Sequence, residues 1–266
     1  LPFCPLALYP LLLLLLLWIP FLNADIAFYS DTQGHDDIHA QVVEAILKHD
    51  PTLVFHAGDL TSKGTQEQYD KFLAIARPLT ATRPFWPVRG NHDRDLDTFL
   101  ANFPRLGDSS YYTVTQDSLF FIVLDSNLDL LPGSEQYIWL ENQLTGDTGL
   151  PRIVILHHTV FSSGYHGGSK DLDLWLPLLF ARHRVAAVVC GHDHDYERLA
   201  YEGVSYLVIG GSGGRLRDPD KASPHSLVFH NQHHYLIARR LPGKVEFTAY
   251  GLDGSVLDTF SLPLTP

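Results

Sequence analysis

A chain of 266 residues is long enough to bury one large core or two small ones, and 45% apolar against 18% charged residues excludes disorder as the default. The formal charge of −11 excludes a general nucleic-acid binder, because no basic face is there to release counterions from a phosphate backbone. It does not exclude a small phosphate ester, since bound cations reverse the local field of a site.

From the start of the chain, Leu6 to Leu22 is almost wholly apolar and uncharged, with Leu11 to Leu17 unbroken. A run of about 17–25 apolar residues can span a bilayer, and a shorter one serves as a signal-peptide core. Residues 1–24 are therefore expected to be a signal peptide or an N-terminal membrane anchor, with residues 6–22 as the membrane contact. The protein is then secreted, periplasmic or membrane-anchored, and residues 25–266 form its domain. Of the two cysteines, Cys4 lies in the apolar run and Cys190 ends a strand-like run, so no disulfide framework is expected. Cys190 reads as a small buried hydrophobe.

Strands and helices then alternate. Ile26 to Tyr29 reads as a strand, Asp37 to Lys48 as a helix through Ile38, Val42, Ala45 and Ile46, and Leu53 to Phe55 as a second strand. Thr65 to Arg77 reads as a helix with Thr65 as its cap and Tyr69, Phe72, Leu73 and Ala76 on one face. Phe85 to Val88 is a further strand, Glu135 to Leu144 a helix, and Leu172 to Arg182 a helix interrupted at Pro177. That rhythm favours a mostly parallel sheet with helices outside. Tyr111 to Thr115 and Leu119 to Leu124 read as a hairpin, and beyond Gly191 strands dominate, at Val204 to Ile209, Tyr235 to Arg239, Val245 to Tyr250 and Val256 to Phe260. Asp253-Gly254 is a hairpin turn between the last two. No biased linker or repeat divides the chain, so one domain with two packed sheets is the simpler reading.

Five apolar runs end in metal donors: Asp31-Thr32-Gln33, Gly58-Asp59, Gly90-Asn91-His92-Asp93, His157-His158 and Gly191-His192-Asp193-His194. In open α/β sheets ligands gather at the carboxyl ends of strands, so these clusters can converge on one crevice. Carboxylate, amide and imidazole without thiolate suit hard to borderline divalent ions.

The order and types of these residues resemble the calcineurin-like metallophosphoesterase superfamily. The resemblance implies an α/β fold, a four-layer αββα sandwich with two mixed sheets. It also implies a hydrolase acting on a small-molecule phosphate ester by attack of a hydroxide bridging two divalent metal ions. A bridging ligand must hold two cations ~3.5–4 Å apart, and a carboxylate does so best. By resemblance Asp59 is that bridge, Asp31, Gln33 and His194 complete the first metal site, and Asn91, His157 and His192 complete the second. His92 stands off the metals as a general acid or charge stabiliser, and an imidazole can take either protonation state near neutral pH. Asp93 either orients His92 or is structural. Strand alternation puts His157 and His158 on opposite faces, and Asp193 is expected to point away from the site. His166, in the Gly-rich loop Ser162 to Gly168, matches a substrate-facing histidine, and a flexible surface loop is the bland alternative. Arg215 after Gly210-Gly211-Ser212-Gly213-Gly214 can pair with phosphate or simply follow a turn. His225, His230, His233 and His234 match no motif and read as surface or edge-strand residues.

Two departures bear on the metals and the substrate. The family commonly shows Asp-x-His where this chain has Asp31-Thr32-Gln33. An amide oxygen leaves harder ions competitive, so Mn is favoured over Fe and Zn, with Mg also admitted. A glutamine here resembles diphosphatases of ADP-ribose and CDP-alcohols, which makes a pyrophosphatase of nucleotide conjugates the alternative. The run His192-Asp193-His194-Asp195-Tyr196-Glu197-Arg198 resembles purple acid phosphatases, but their tyrosine three residues after the bridging Asp is Ser62 here. A tyrosinate–iron centre is therefore not expected. A catalytically silent scaffold is a third reading, against which stand Asp59, Asn91 and His92.

Overall fold

The computed structural model describes residues 25–264 apart from residue 220. The apolar run at Leu6 to Leu22, Cys4 and the cleavage or anchoring expected there lie outside those residues. No helix among the described residues is long and apolar enough to cross a membrane.

In chain order the elements are β1 (Asp25–Tyr29), α1 (Asp36–Leu47), β2 (Leu53–His56), α2 (Gln66–Thr80), β3 (Phe85–Pro87) and α3 (Leu96–Asn102). A 3₁₀ turn (Pro104–Leu106) leads to β4 (Tyr112–Gln116), β5 (Leu119–Val123), α4 (Glu135–Thr145), β6 (Arg152–Leu156), α5 (Leu172–Arg182) and β7 (Ala187–Cys190). The chain ends in β8 (Tyr196–Tyr201), β9 (Val204–Ile209), β10 (Ser226–His230), β11 (His234–Leu241), β12 (Lys244–Gly251) and β13 (Val256–Pro263).

These strands make two mixed sheets, ordered β13-β12-β11-β1-β2-β3 and β10-β8-β9-β7-β6-β5-β4. Parallel pairing runs through β1-β2-β3 in one and β5-β6-β7-β9 in the other. Strands covered on both faces read as unbroken apolar runs, and β1, β2, β5 and β7 are buried at every residue. Phe28, Phe55 and Phe121 meet between the sheets, with ring centroids 5.4 Å apart in the first pair and 4.7 Å in the second. On the outer face of the first sheet, Val42, Val43 and Ile46 of α1 and Leu79 of α2 pack on Ala27, Tyr29 and Val54. On the outer face of the second, Leu140 of α4 and Leu176 and Phe180 of α5 pack on Ile122, Val154 and Val188. The α/β/β/α order of layers is the one expected.

Several local readings change. Thr65 caps α2 as foreseen, its side chain accepting from Gln68 N, but the helix continues past Arg77 through Pro78. Helix α5 likewise runs through Pro177, where the lost backbone hydrogen bond is outweighed by packing of Leu176, Leu179 and Phe180. Helix α3 had a legible start, since Asp95 caps it by accepting from Thr98 N. His234 is no surface residue: it is fully buried at the start of β11, with Nδ1 bonded to Gln232 O.

Candidate metal centre

The first three clusters follow β1, β2 and β3 of one sheet, and the last two follow β6 and β7 of the other. The site therefore spans the mouth between the sheets. Backbone bonds stitch its rim: Asp31 N to Gly58 O at 3.0 Å, Thr32 N to Asp59 O at 3.1 Å, and Gly191 N to His157 O at 3.0 Å. Asp31, Asp59 and His192 all hold left-handed backbones, with φ of 57°, 55° and 71°. The run from Asp31 to Gln33 is thus not extended, yet both side chains still turn inward.

Glycine permits the approach of neighbours. At Gly58, φ is +101° and a Cβ would come within 2.4 Å of His157 Nδ1. At Gly90 a Cβ would sit 2.2 Å from Asp59 Oδ1.

Ligand-type atoms of Asp31, Asp59 and His157, all buried, lie within 4.8 Å of one another. His157 Nε2 is 3.4 Å from Asp59 Oδ1 and 3.0 Å from Asn91 Oδ1. The same Asn91 oxygen is 3.1 Å from His192 Nδ1. On the other side of Asp59, Gln33 Nε2 donates to Asp59 Oδ2 at 3.0 Å and stands 3.4 Å from His194 Nε2. His194 Nε2 is 3.5 Å from Asp31 Oδ1. Two groups thus share Asp59, one holding Asp31, Gln33 and His194 and the other Asn91, His157 and His192.

Three observations fit cations to these groups. Asp31 Oδ1 and Gln33 Oε1 are buried without a hydrogen-bond partner, which a buried oxygen rarely tolerates. His157 Nδ1 is 3.0 Å from Ala57 O and His194 Nδ1 is 2.8 Å from Arg215 O. A carbonyl on one ring nitrogen fixes the proton there and leaves the lone pair on Nε2 for a metal. Finally, a half-turn of the Gln33 carboxamide exchanges its nitrogen for its oxygen beside Asp59, the arrangement a cation between them would draw.

Charge shapes the same groups. Burial disfavours the charge on His157, but the Asp59 carboxylate outweighs it and raises the ring's pKa to about 10. Burial likewise opposes ionisation of Asp59, and His157 overcomes it, holding that carboxyl well below its usual range. His192 is pushed down, by burial first and then by the neighbouring rings of His157, His158 and His166.

The His92 ring turns to Ser62, with Nδ1 2.9 Å from its O, while the His92 backbone N–H donates to Asp59 Oδ1 at 2.8 Å. Asp93 does not touch it. That fully buried carboxylate accepts from the backbone N–H groups of Leu60, Thr61 and Gly90, tying the Asp59 and Asn91 loops together. His158 turns from the shared group to Ser126, with Nδ1 2.8 Å from its Oγ.

Asp193 points away from both metal groups and onto the Ser162-to-Gly168 loop, accepting from Ser162 Oγ at 2.5 Å and from both the backbone N–H and ring Nδ1 of His166. Glu197 holds Ser163 N at 2.7 Å and Ser163 Oγ at 2.5 Å. The His166 ring centroid ends 4.4 Å from that of His192. A legible signal existed: Asp193, Asp195 and Glu197 recur with the period of a strand, and alternate residues share one face.

A sequence profile of the calcineurin-like phosphoesterase family matches residues 24–196. The chain is 29% identical over 238 residues to a "Probable inactive purple acid phosphatase 24" of Arabidopsis thaliana, covering 71% of this chain and 38% of that protein. It is 26% identical over 273 residues to a "Nucleotide pyrophosphatase/phosphodiesterase" of Hordeum vulgare, covering 79% and 71%. The chain spans well under two thirds of the Arabidopsis relative. The fold superposes on purple acid phosphatase PPD1 of yellow lupin with a TM-score of 0.77 at 19% identity, covering 90% of this chain and 53% of that one.

Proposed function

The chain belongs to the calcineurin-like phosphoesterase family, and from that premise we propose that it hydrolyses phosphate esters at a site for two divalent cations. The observation that carries this reading is the buried group of Asp31, Asp59 and His157, in which Asp31 Oδ1 has no hydrogen-bond partner. Asp31, Gln33, Asp59 and His194 would hold one cation, and Asp59, Asn91, His157 and His192 the other. Two bound cations supply Lewis acidity and a water acidic enough at neutral pH to become the nucleophile.

The remaining steps fall to the protein. Left-handed backbones at Asp31 and Asp59 aim both carboxylates inward from neighbouring strands. His92, whose Nδ1 donates to Ser62 O, would give a proton from Nε2 to the leaving oxygen as the imidazolium. His166, whose Nδ1 donates to Asp193, would donate from Nε2 to a phosphate oxygen next to His192 as the imidazolium. Gln33 supports Mn or Mg over Zn. The apolar run Leu6 to Leu22 supports export or anchoring.

Hydrolysis of a nucleotide pyrophosphate is the second reading. Gln33 favours it, and the barley relative bears that activity in its name. The silent-scaffold reading has the name of the Arabidopsis relative on its side, but Asp59, Asn91 and His92 all stand in place here.

The test is purified protein loaded in turn with Mn, Mg, Zn and Fe and assayed on mono-, di- and pyrophosphate esters, beside Asp59→Asn. Turnover that needs metal, with both metals and activity lost together in Asp59→Asn, is the expected result. No turnover of any ester with any ion, or full metal content and wild-type rate in Asp59→Asn, overturns the proposal.

A further inference from the structure

Beside the metal groups lies an open recess of about 660 Å³ lined by Tyr165, Arg215, Leu216, Arg217, Asp218 and Pro219. It is joined to the site at two points. Arg215 O bonds His194 Nδ1 at 2.8 Å, and the Tyr165 ring meets that of His166 at 5.2 Å between centroids. The loop that carries Tyr165 is pinned at Ser162, Ser163 and His166 by Asp193 and Glu197. Tyr165 nonetheless stays 55% exposed. A large aromatic ring held in water by an anchored loop is a platform waiting for a partner.

Arg217 completes the platform, with its guanidinium carbon 4.4 Å from the Tyr165 ring centroid. Among the described residues, neither the Arg215 nor the Arg217 side chain makes an ion pair or hydrogen bond. Two guanidinium groups face one carboxylate, Asp218, so the recess favours an anion. Other hollows beside the site differ in sign or size. The one at Ser126 and His158 is lined by Asp129 and Asp171, and the one at Gln33 holds 210 Å³ and is lined by the paired Asp36 and Lys71.

We propose that this recess is a subsite for the nucleotide half of a pyrophosphate-linked substrate, a proposal that rests on the phosphoesterase reading above. The base stacks on Tyr165 and Arg217, as bases stack on aromatic rings and guanidinium planes. Arg215 pairs with the phosphate beyond the scissile bond, for which its planar fork is suited. The volume lies in the ~300–1,000 Å³ range of small-ligand sites and exceeds what a lone phosphate needs. In the reaction, water adds at one phosphorus, the P–O–P bond breaks, and the bridging oxygen leaves on the second phosphate with a proton from the site. Both products are monophosphates.

Two measurements test the subsite separately from the phosphoesterase reading. In saturation-transfer NMR with AMP and protein free of added metal, the wild type should transfer saturation to the base protons. Tyr165→Phe should keep the effect and Tyr165→Ala should lose it. In the metal-loaded enzyme, Arg217→Glu and Tyr165→Ala should lower kcat/KM for ADP-ribose roughly tenfold more than for p-nitrophenyl phosphate, mainly through KM, the scale of one lost stacking contact. Equal losses on both substrates, hydrolysis of p-nitrophenyl phosphate but not ADP-ribose by the wild type, or no AMP contact in the wild type overturns the subsite. If the wild type hydrolyses nothing, the phosphoesterase reading falls, and the NMR result alone decides whether the recess holds a nucleotide.

Discussion

Asp193 accepts two hydrogen bonds from His166, one from the backbone N–H at 2.8 Å and one from ring Nδ1 at 3.0 Å. Burial opposes a charge on Asp193, yet these bonds and that from Ser162 hold its carboxyl below the usual range. The paired contact fixes both the position of the His166 backbone and the ring nitrogen that carries the proton. Because Asp193 stands between His192 and His194, one short segment sets two metal-ligand candidates and the proposed substrate contact together.

Asp193→Asn should therefore loosen His166 without stripping metal. We expect kcat/KM to fall roughly tenfold, the scale of one hydrogen bond to a charged group. Adding His166→Ala to Asp193→Asn should cost little more, because both remove the same contact. Kinetics with elemental analysis of the single and double variants checks this, and additive losses would break the link.

His92→Ala should keep both metals and lower the rate roughly 10²–10⁴-fold, the span of one acid–base group. The loss should be greatest for poor leaving groups, which need the proton most. A metal-depleted His92→Ala protein would make His92 a ligand instead.

Gln33 has its amide between Asp59 and His194, so substitutions there should act on one metal only. Gln33→Ala should weaken the first site and spare the second, while Gln33→His should shift preference from Mn or Mg toward Zn or Fe. Metal titrations of the three proteins, followed by elemental analysis, check the outcome. Identical occupancy and preference would show the glutamine to be a bystander.

Metal uptake should release protons. In the metal-free protein His157 has its pKa raised to about 10, so it is protonated at neutral pH. A cation needs the neutral ring, and apparent affinity should rise with pH until that value is passed. The sign for stability is opposite. A raised histidine pKa adds stability that is full below the unfolded value, ~6.5, and lost as pH rises through the folded one. Calorimetric titration in buffers of different ionisation enthalpy measures the release, and an uptake enthalpy independent of buffer would refute it.

Strand ends and donor types were legible because parallel strands leave unbroken apolar runs, and the residues after them carried the chemistry. Strand β8 was hidden because Glu197 and Arg198 make its start look like polar loop. They are polar because Glu197 anchors a loop and Arg198 pairs with Asp258 across the sheets at 2.6 Å. Strand β10 was missed for a different reason. It is half-exposed, with Leu227 fully exposed to solvent, and pairs only with β8, so Ser226 to His230 shows no clean alternation. His234 was misread because histidine is more often found outside, and nothing local marks its place in β11 beside β1.

The left-handed backbones of Asp31, Asp59 and His192 set protein engineering against catalysis at the same atoms. Each such turn costs up to about 1–2 kcal/mol in a residue with a Cβ. Glycine at His192 would relax that turn and could be rewarded by a screen for heat resistance alone, whereas glycine at Asp59 would also leave the buried His157 without its partner. Any such gain would remove a candidate metal ligand. A thermostability campaign on this protein should hold these three codons fixed and look for its improvements in the helices of the outer layers.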